Sequence, residues 1–307
     1  MKKLKEFPDS QYRWWNGDPD WMEVRVGENA TRPKLTWQSQ VEGGKQAEWD
    51  GGDSVTWVSL GLAGKCVEQL DEVEGLDEIP RIDALDLGGN ELRSLAGLGR
   101  MPWAPGLKRL YIDGNPLARL DEAGGLGACP GLEVLHAGPG IETLAGLAQL
   151  RSLKELWVYG RVGKLEALEG LGALEDLAIT SGTIQVIEGL DTLVNLKRLD
   201  LSGNRIERMQ GLDHLVSLKY LNLANNQIAA IEGIDSLDRL ERVDLKGNPI
   251  PGIEQFLKAR APEGLYPGSF DETVHLHYLY KLDHSVIHLS PAIHDRIQRG
   301  TLTFTFS

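Results

Sequence analysis

The sequence predicts an α/β solenoid, a stack of short strand-and-turn units. Three observations lead there. One string, Leu199-Asp200-Leu201-Ser202-Gly203-Asn204, returns as Leu221-Asn222-Leu223-Ala224-Asn225-Asn226 and as Val243-Asp244-Leu245-Lys246-Gly247-Asn248. Its relatives recur every 21 to 25 residues, ending at Lys65, Asn90, Asn115, Gly140, Arg161, Gly182, Asn204, Asn226 and Asn248. A unit this short cannot bury its own apolar face, so neighbouring copies must supply the core.

Each unit opens on two apolar residues separated by one polar residue, which is strand periodicity. The pairs are Leu60/Leu62, Leu85/Leu87, Leu110/Ile112, Leu135/Ala137, Leu156/Val158 and Leu177/Ile179, and then those of the three strings above. A Gly or Asn before the last residue of the string marks a turn. The return path carries apolar residues about every third position, as in Ile206, Met209, Leu212, Leu215 and Leu218. That spacing suits a 3₁₀ or short α segment rather than a long helix.

The ends depart from the repeat. Residues 1–54 hold five of the eight tryptophans (Trp14, Trp15, Trp21, Trp37 and Trp49), and a sixth, Trp57, follows closely. Alternating pieces such as Met22–Val26 and Lys34–Gln38 read as short strands. The favoured role is a Trp-rich β cap over the open end of the stack, since an uncovered sheet edge must be blunted. A carbohydrate or small-ligand platform is the alternative. The solenoid is expected over 55–262, closing with a helix near Ile253–Lys258. Residues 263–307 form a small α/β tail, with strand-like Val274–Leu282 and Val286–Leu289, a helix over Pro291–Arg299 stopped by Gly300, and a strand at Thr301–Phe306.

The Leu-x-x-Leu-x-Leu-x-x-Asn pattern stands intact at Leu196–Asn204 and Leu218–Asn226, and at Leu240–Asn248 with Val243 as its middle apolar residue. It resembles the leucine-rich repeat family, in particular the 22-residue SDS22-like and internalin-like class. The resemblance covers roughly residues 55–255. It implies a right-handed solenoid of about nine repeats with a parallel sheet on its concave face. It also implies an amide ladder, in which each Asn satisfies backbone groups of two adjacent turns. The ladder fails at Lys65, Gly140, Arg161 and Gly182. The middle of the stack is therefore expected to be less regular, with water in the gaps.

Charge narrows the partner. The formal net charge of −13 over 307 residues argues against a nucleic-acid backbone, which calls for a basic stripe. It suits a protein partner with a basic patch. No run is apolar enough to span a bilayer. The basic opening Met1–Lys5 is followed by Phe7-Pro8-Asp9 rather than an apolar stretch. A cytoplasmic protein is therefore expected. Cys66 and Cys129 fit no metal spacing and are expected to be two small buried side chains. Gly-rich phosphate loops, nucleophile elbows and HExxH motifs are absent from the sequence, so no cofactor and no catalytic residue is expected. Five of the seven histidines, His275, His277, His284, His288 and His294, lie in the tail. A small metal-dependent enzyme there is the competing reading.

On a strand written x-Leu-x-Leu-x the three x residues share one face. Twelve such residues are candidates for partner binding: Asp86, Tyr111, Asp113, His136, Glu155, Trp157, Tyr159, Asp176, Arg198, Asp200, Tyr220 and Arg242. Aromatic residues at the centre with charges around them have the composition of an interface hot spot. The expected function is non-enzymatic protein binding through this face, as an intracellular regulator or inhibitor.

Overall fold

In a computed structural model, the residues described are 21–26, 35–41, 45–47, 59–251 except 74–75, 80 and 121–124, and then 273–274 and 291–306. Nine strands follow the repeat: β4 (Ser59–Gly61), β5 (Ala84–Asp86), β6 (Arg109–Asn115), β7 (Val134–Pro139), β8 (Glu155–Tyr159), β9 (Asp176–Thr180), β10 (Arg198–Asp200), β11 (Tyr220–Asn222) and β12 (Arg242–Asp244). All pair in parallel with their sequence neighbours. Eight turns of chain therefore join nine stacked strands. At about 4.8 Å per strand the sheet runs about 38 Å.

Burial fixes the register. Leu60, Leu85, Leu110, Leu135, Leu156, Leu177, Leu199, Leu221 and Val243 stand opposite one another on the buried face. A one-residue slip would expose the whole row. The return paths carry four 3₁₀ segments among the described residues, at Leu70–Glu72, Ala96–Arg100, Ala104–Gly106 and Leu126–Ala128. All lie in the longer, early units. The shorter units replace them with consecutive three-residue turns: Leu147, Leu150 and Leu153 donate to Leu144, Leu147 and Leu150 at 3.2, 2.8 and 2.9 Å. Three residues per turn returns a leucine to the core each time, so the apolar spacing of three needs no α-helix.

The amide ladder is present where the sequence has Asn. Asn204 Nδ2 donates to Ile179 O at 2.8 Å and Leu201 O at 3.0 Å, and Oδ1 accepts from Ile184 N at 3.2 Å. Asn226 and Asn248 repeat the same bridge one and two turns on. Asn90 and Asn115 do so in the early units. Asn204→Ala leaves buried backbone groups of two turns without this partner. A loss of about 1–3 kcal/mol is expected, read from the urea unfolding midpoint.

The middle, expected to be less regular, has the longest strands of the repeat but also a register shift between Asp113 and Asn115, opposite Gly138 and Pro139. Strands β6 to β9 are five to seven residues long, against three in β4, β5 and β10 to β12. Where the Asn is missing, the backbone itself closes the gap. A Cβ on Gly140 would stand 2.5 Å from Leu117 O, and one on Gly182 would stand 2.6 Å from Val162 O. Arg161 N donates across the gap to Ile141 O at 2.9 Å. Glycine at these two positions allows close approach of the neighbouring backbone.

Both ends continue the sheet. Strand β1 (Trp21–Val26) pairs in parallel with β4 and antiparallel with β2 (Leu35–Val41), which pairs with β3 (Lys45–Ala47). At the other end β14 (Thr303–Thr305) pairs in parallel with β12 and antiparallel with β13 (Thr273–Val274). Helix α1 (Pro291–Gln298) lies between β13 and β14 in the chain. Its Arg296 donates to Leu237 O at 2.7 Å and to Leu240 O, tying the helix to the last turn of the stack. Trp14, Trp15, Trp49 and Trp57, the helix expected at Ile253–Lys258, the strand at Val286–Leu289 and most of Val274–Leu282 fall outside the described residues. Of the cysteines only Cys129 is buried. Cys66 is exposed, at φ 58°, on a turn where its side chain projects from the stack.

Candidate functional site

Parallel pairing sets the outward residues in columns. The central column is Gly61, Asp86, Tyr111, His136, Trp157, Ala178, Asp200, Asn222 and Asp244. The first column brings Arg109, Val134, Glu155, Asp176, Arg198, Tyr220 and Arg242 into one row. Asp113 stands opposite Gly138, and Tyr159 opposite Thr180, in the third. All twelve candidates thus lie on the open face of one sheet.

Three of them form a continuous row of aromatic contacts. Tyr111 meets His136 edge-on at 4.9 Å between centroids and 89°. His136 lies flat on Trp157 at 4.5 Å and 4°. The strand spacing of about 4.8 Å sets this geometry, because rings on adjacent strands stand one ring-stacking distance apart. Polar partners then lock the rings. His136 Nε2 is 2.6 Å from Glu155 Oε1, and Trp157 Nε1 donates to Asp176 Oδ1 at 3.3 Å. Asp176 also meets Arg198 at 3.3 Å, whose guanidinium lies 5.9 Å from the Tyr220 ring centroid. Glu155, Asp176 and Arg198 are therefore the supports of the ring row as well as its charges.

Asp86 and Asp200 have a local role that residue type alone did not reveal. Each accepts the N–H two residues on, Gly88 at 2.8 Å and Ser202 at 2.9 Å. Asn222 and Asp244 do the same for Ala224 and Lys246. The aspartates of the repeated string thus cap the strand exit as Asx turns. Asp200 additionally accepts from Asn222 Nδ2 at 2.7 Å.

Three features of the face escaped sequence reasoning. Small Ala178 follows Trp157 in the central column and opens a depression of about 530 Å³ between Trp157 and Tyr159 on one side and Tyr220 and Arg242 on the other. Gly138 seats the Tyr159 ring, since a Cβ there would come within 2.8 Å of it. Along the entry edge of the strands, Lys108, Glu133, Lys154, Glu175, Lys197, Lys219 and Glu241 form a charged row. Its ion pairs are Lys108–Glu133 at 3.4 Å, Lys154–Glu133 at 2.7 Å, Lys197–Glu175 at 2.6 Å and Lys219–Glu241 at 3.0 Å. These residues stand 21 to 25 apart in sequence, so the row is visible only once the turns are in register.

Burial raises the pKa of Asp86 above the ordinary carboxylate value, and only the Gly88 N–H opposes it. Asp113 is raised for the same reason, with His136 opposing and Asp86 reinforcing the shift. Asp176 is raised by burial despite Arg198. Each group holds its proton more tightly folded than unfolded. Their contribution is therefore favourable at low pH and declines as pH rises through the range just above 3.8. Asp86→Asn with Asp113→Asn keeps the acceptor to Gly88 and removes that decline. In urea unfolding the variant should gain on wild type as pH rises from 4 to 6; a constant difference contradicts the sign.

Among the described residues, no three His, Cys, Asp or Glu converge to hold a metal ion. No described helix is long and apolar enough to cross a membrane. His275, His277, His284 and His288 lie outside the described residues, and His294 falls on α1.

Comparison with known proteins agrees with this architecture. A model described as leucine-rich repeats in two copies matches residues 216–258, and a single leucine-rich repeat model matches 195–215. No curated protein sequence matches. Among solved structures, internalin C2 of Listeria monocytogenes is similar at 23% identity and a TM-score of 0.55, with 61% of this chain and 80% of that one covered. The functional domain of InlJ from Listeria monocytogenes aligns at 16% identity and a TM-score of 0.48, covering 63% of this chain and 49% of that one. An internalin, InlF, from the same species aligns at 17% and 0.38, covering 62% and 74%. Repeat register, amide ladder and sequence models agree: residues 195–258 match leucine-rich repeats, within a solenoid whose fold is similar to that of internalin C2.

Proposed function

We propose that the chain is a non-enzymatic binding scaffold that takes a partner protein across the open face of its sheet, the concave side expected for this repeat class. Leucine-rich repeat folds generally mediate protein–protein interaction. The observation that carries the reading is the aromatic row Tyr111–His136–Trp157 beside the Ala178 depression. A solvated sheet face gains nothing from a tryptophan held there. A partner gains a rigid apolar anchor at little ordering cost. Tyr159 and Tyr220, 40% and 44% exposed, flank the same depression and offer further apolar surface. Such a scaffold regulates or inhibits its partner by occupying it. The partner suited to a chain of this charge carries a basic patch.

The test is affinity purification from the source cells with wild type and with Tyr111→Ala plus Trp157→Ala. The double variant should lose the partner while its circular dichroism stays unchanged. A partner retained at wild-type level contradicts the face assignment.

A further inference from the structure

The open face is polarised along the stack. Over β5 to β9 its three columns hold Asp86, Asp113, Glu155 and Asp176 against one arginine. Over β10 to β12 they hold Arg198, Arg242 and Lys246 against Asp200 and Asp244, a surplus of one cation. The charged edge row carries no such bias, since Lys197 and Lys219 each pair with their own glutamate while Lys108 and Lys154 share Glu133. It alternates Lys and Glu until Lys197 and Lys219, which fall on adjacent turns where Lys219 N donates to Lys197 O at 2.9 Å.

We propose that the bound partner presents one extended segment of fixed polarity. Its basic residues lie over Asp86 and Asp113, an apolar or aromatic side chain fills the depression at Ala178, and its acidic residues lie over Arg198 and Arg242. This rests on the face being the binding surface. From β5 to β12 is seven strand spacings, about 34 Å. An extended chain at about 3.3 Å per residue covers that in about ten residues. The opposite orientation sets like charges against one another at both ends, so polarity selects direction. Burial already disfavours charge on Asp86 and Asp113, and a partner cation there relieves it.

The test is selection of a random twelve-residue peptide library, displayed on phage, against the full chain. Enriched peptides should carry Lys or Arg toward one end, Asp or Glu toward the other and an apolar residue between. Asp113→Lys should weaken them at least tenfold, and so should Arg242→Glu. Selection on the Asp113→Lys variant should replace the basic end with acidic residues. Peptides that depend on Trp157 but show no charge order overturn the polarity and leave the face assignment standing. A selection in which no peptide depends on Trp157 or Tyr220 overturns both.

Discussion

Gly233→Ala is expected to destabilise the solenoid by about 3 kcal/mol or more, Gly211→Ala by less and Gly189→Ala by least. The three glycines stand 22 residues apart and form a column on the return path. Their φ angles are alike, +71°, +67° and +70°. The left-handed backbone term, about 1–2 kcal/mol for a residue with a Cβ, is therefore common to all three. What differs is the space. A Cβ at Gly189 would stand 2.9 Å from Leu165 O, and closer still at Gly211 to Ile187 O. At Gly233 it would be closest of all, against Met209 O. The obstacle is backbone of the preceding turn, which cannot swing away as a side chain can. Overpacking of this kind adds about 1–3 kcal/mol. Urea unfolding of the three variants reads the order directly. Equal losses would mean that the turns relax independently and that stacking distance is not fixed by these glycines.

Trp157→Ala should cost the partner complex at least about 2 kcal/mol, near thirtyfold in Kd, with little loss of fold stability. The asymmetry follows from its place. Leu156 and Val158, its neighbours in β8, are buried in the core, whereas Trp157 rests on His136 and is held by Asp176 on the outside of the sheet. Removing the indole empties one wall of the Ala178 depression and frees His136 on one face. The buried leucine rows remain intact. Tyr220→Ala removes the opposite wall and should act in the same direction with smaller effect, because its ring is 44% exposed before binding. Isothermal titration with the purified partner separates the two losses.

The repeat made much of this legible in advance. Strand columns could be written down because alternate burial leaves only one register, and Tyr111, His136 and Trp157 fell into line from that alone. The amide ladder was legible wherever an Asn stands. Where no Asn stands the contact was not legible, because Gly140 and Gly182 meet carbonyls of the preceding turn that only the stacking brings near. The glycines at 189, 211 and 233 were visible as letters but not as a column, because their partners are carbonyls a full turn away. The Lys/Glu edge row was hidden for the same reason. Asp86 and Asp200 were legible as candidates for partner binding, but not as acceptors of the N–H two residues on, a relation set by the turn rather than by the face. Cys66 broke the expectation of burial because it occupies a turn instead of a leucine row.

Which surface meets the partner is decided most directly by site-specific photocrosslinking in the source cells. A photoreactive residue at position 178 lies in the depression on the open face, and one at 216 lies on the exposed outer turn occupied by Val216, 52% accessible. A discrete adduct from position 178, absent from position 216 and lost when Trp157→Ala is added, is the expected result. An adduct from 216 alone, or one from 178 that persists without Trp157, contradicts binding through the aromatic row.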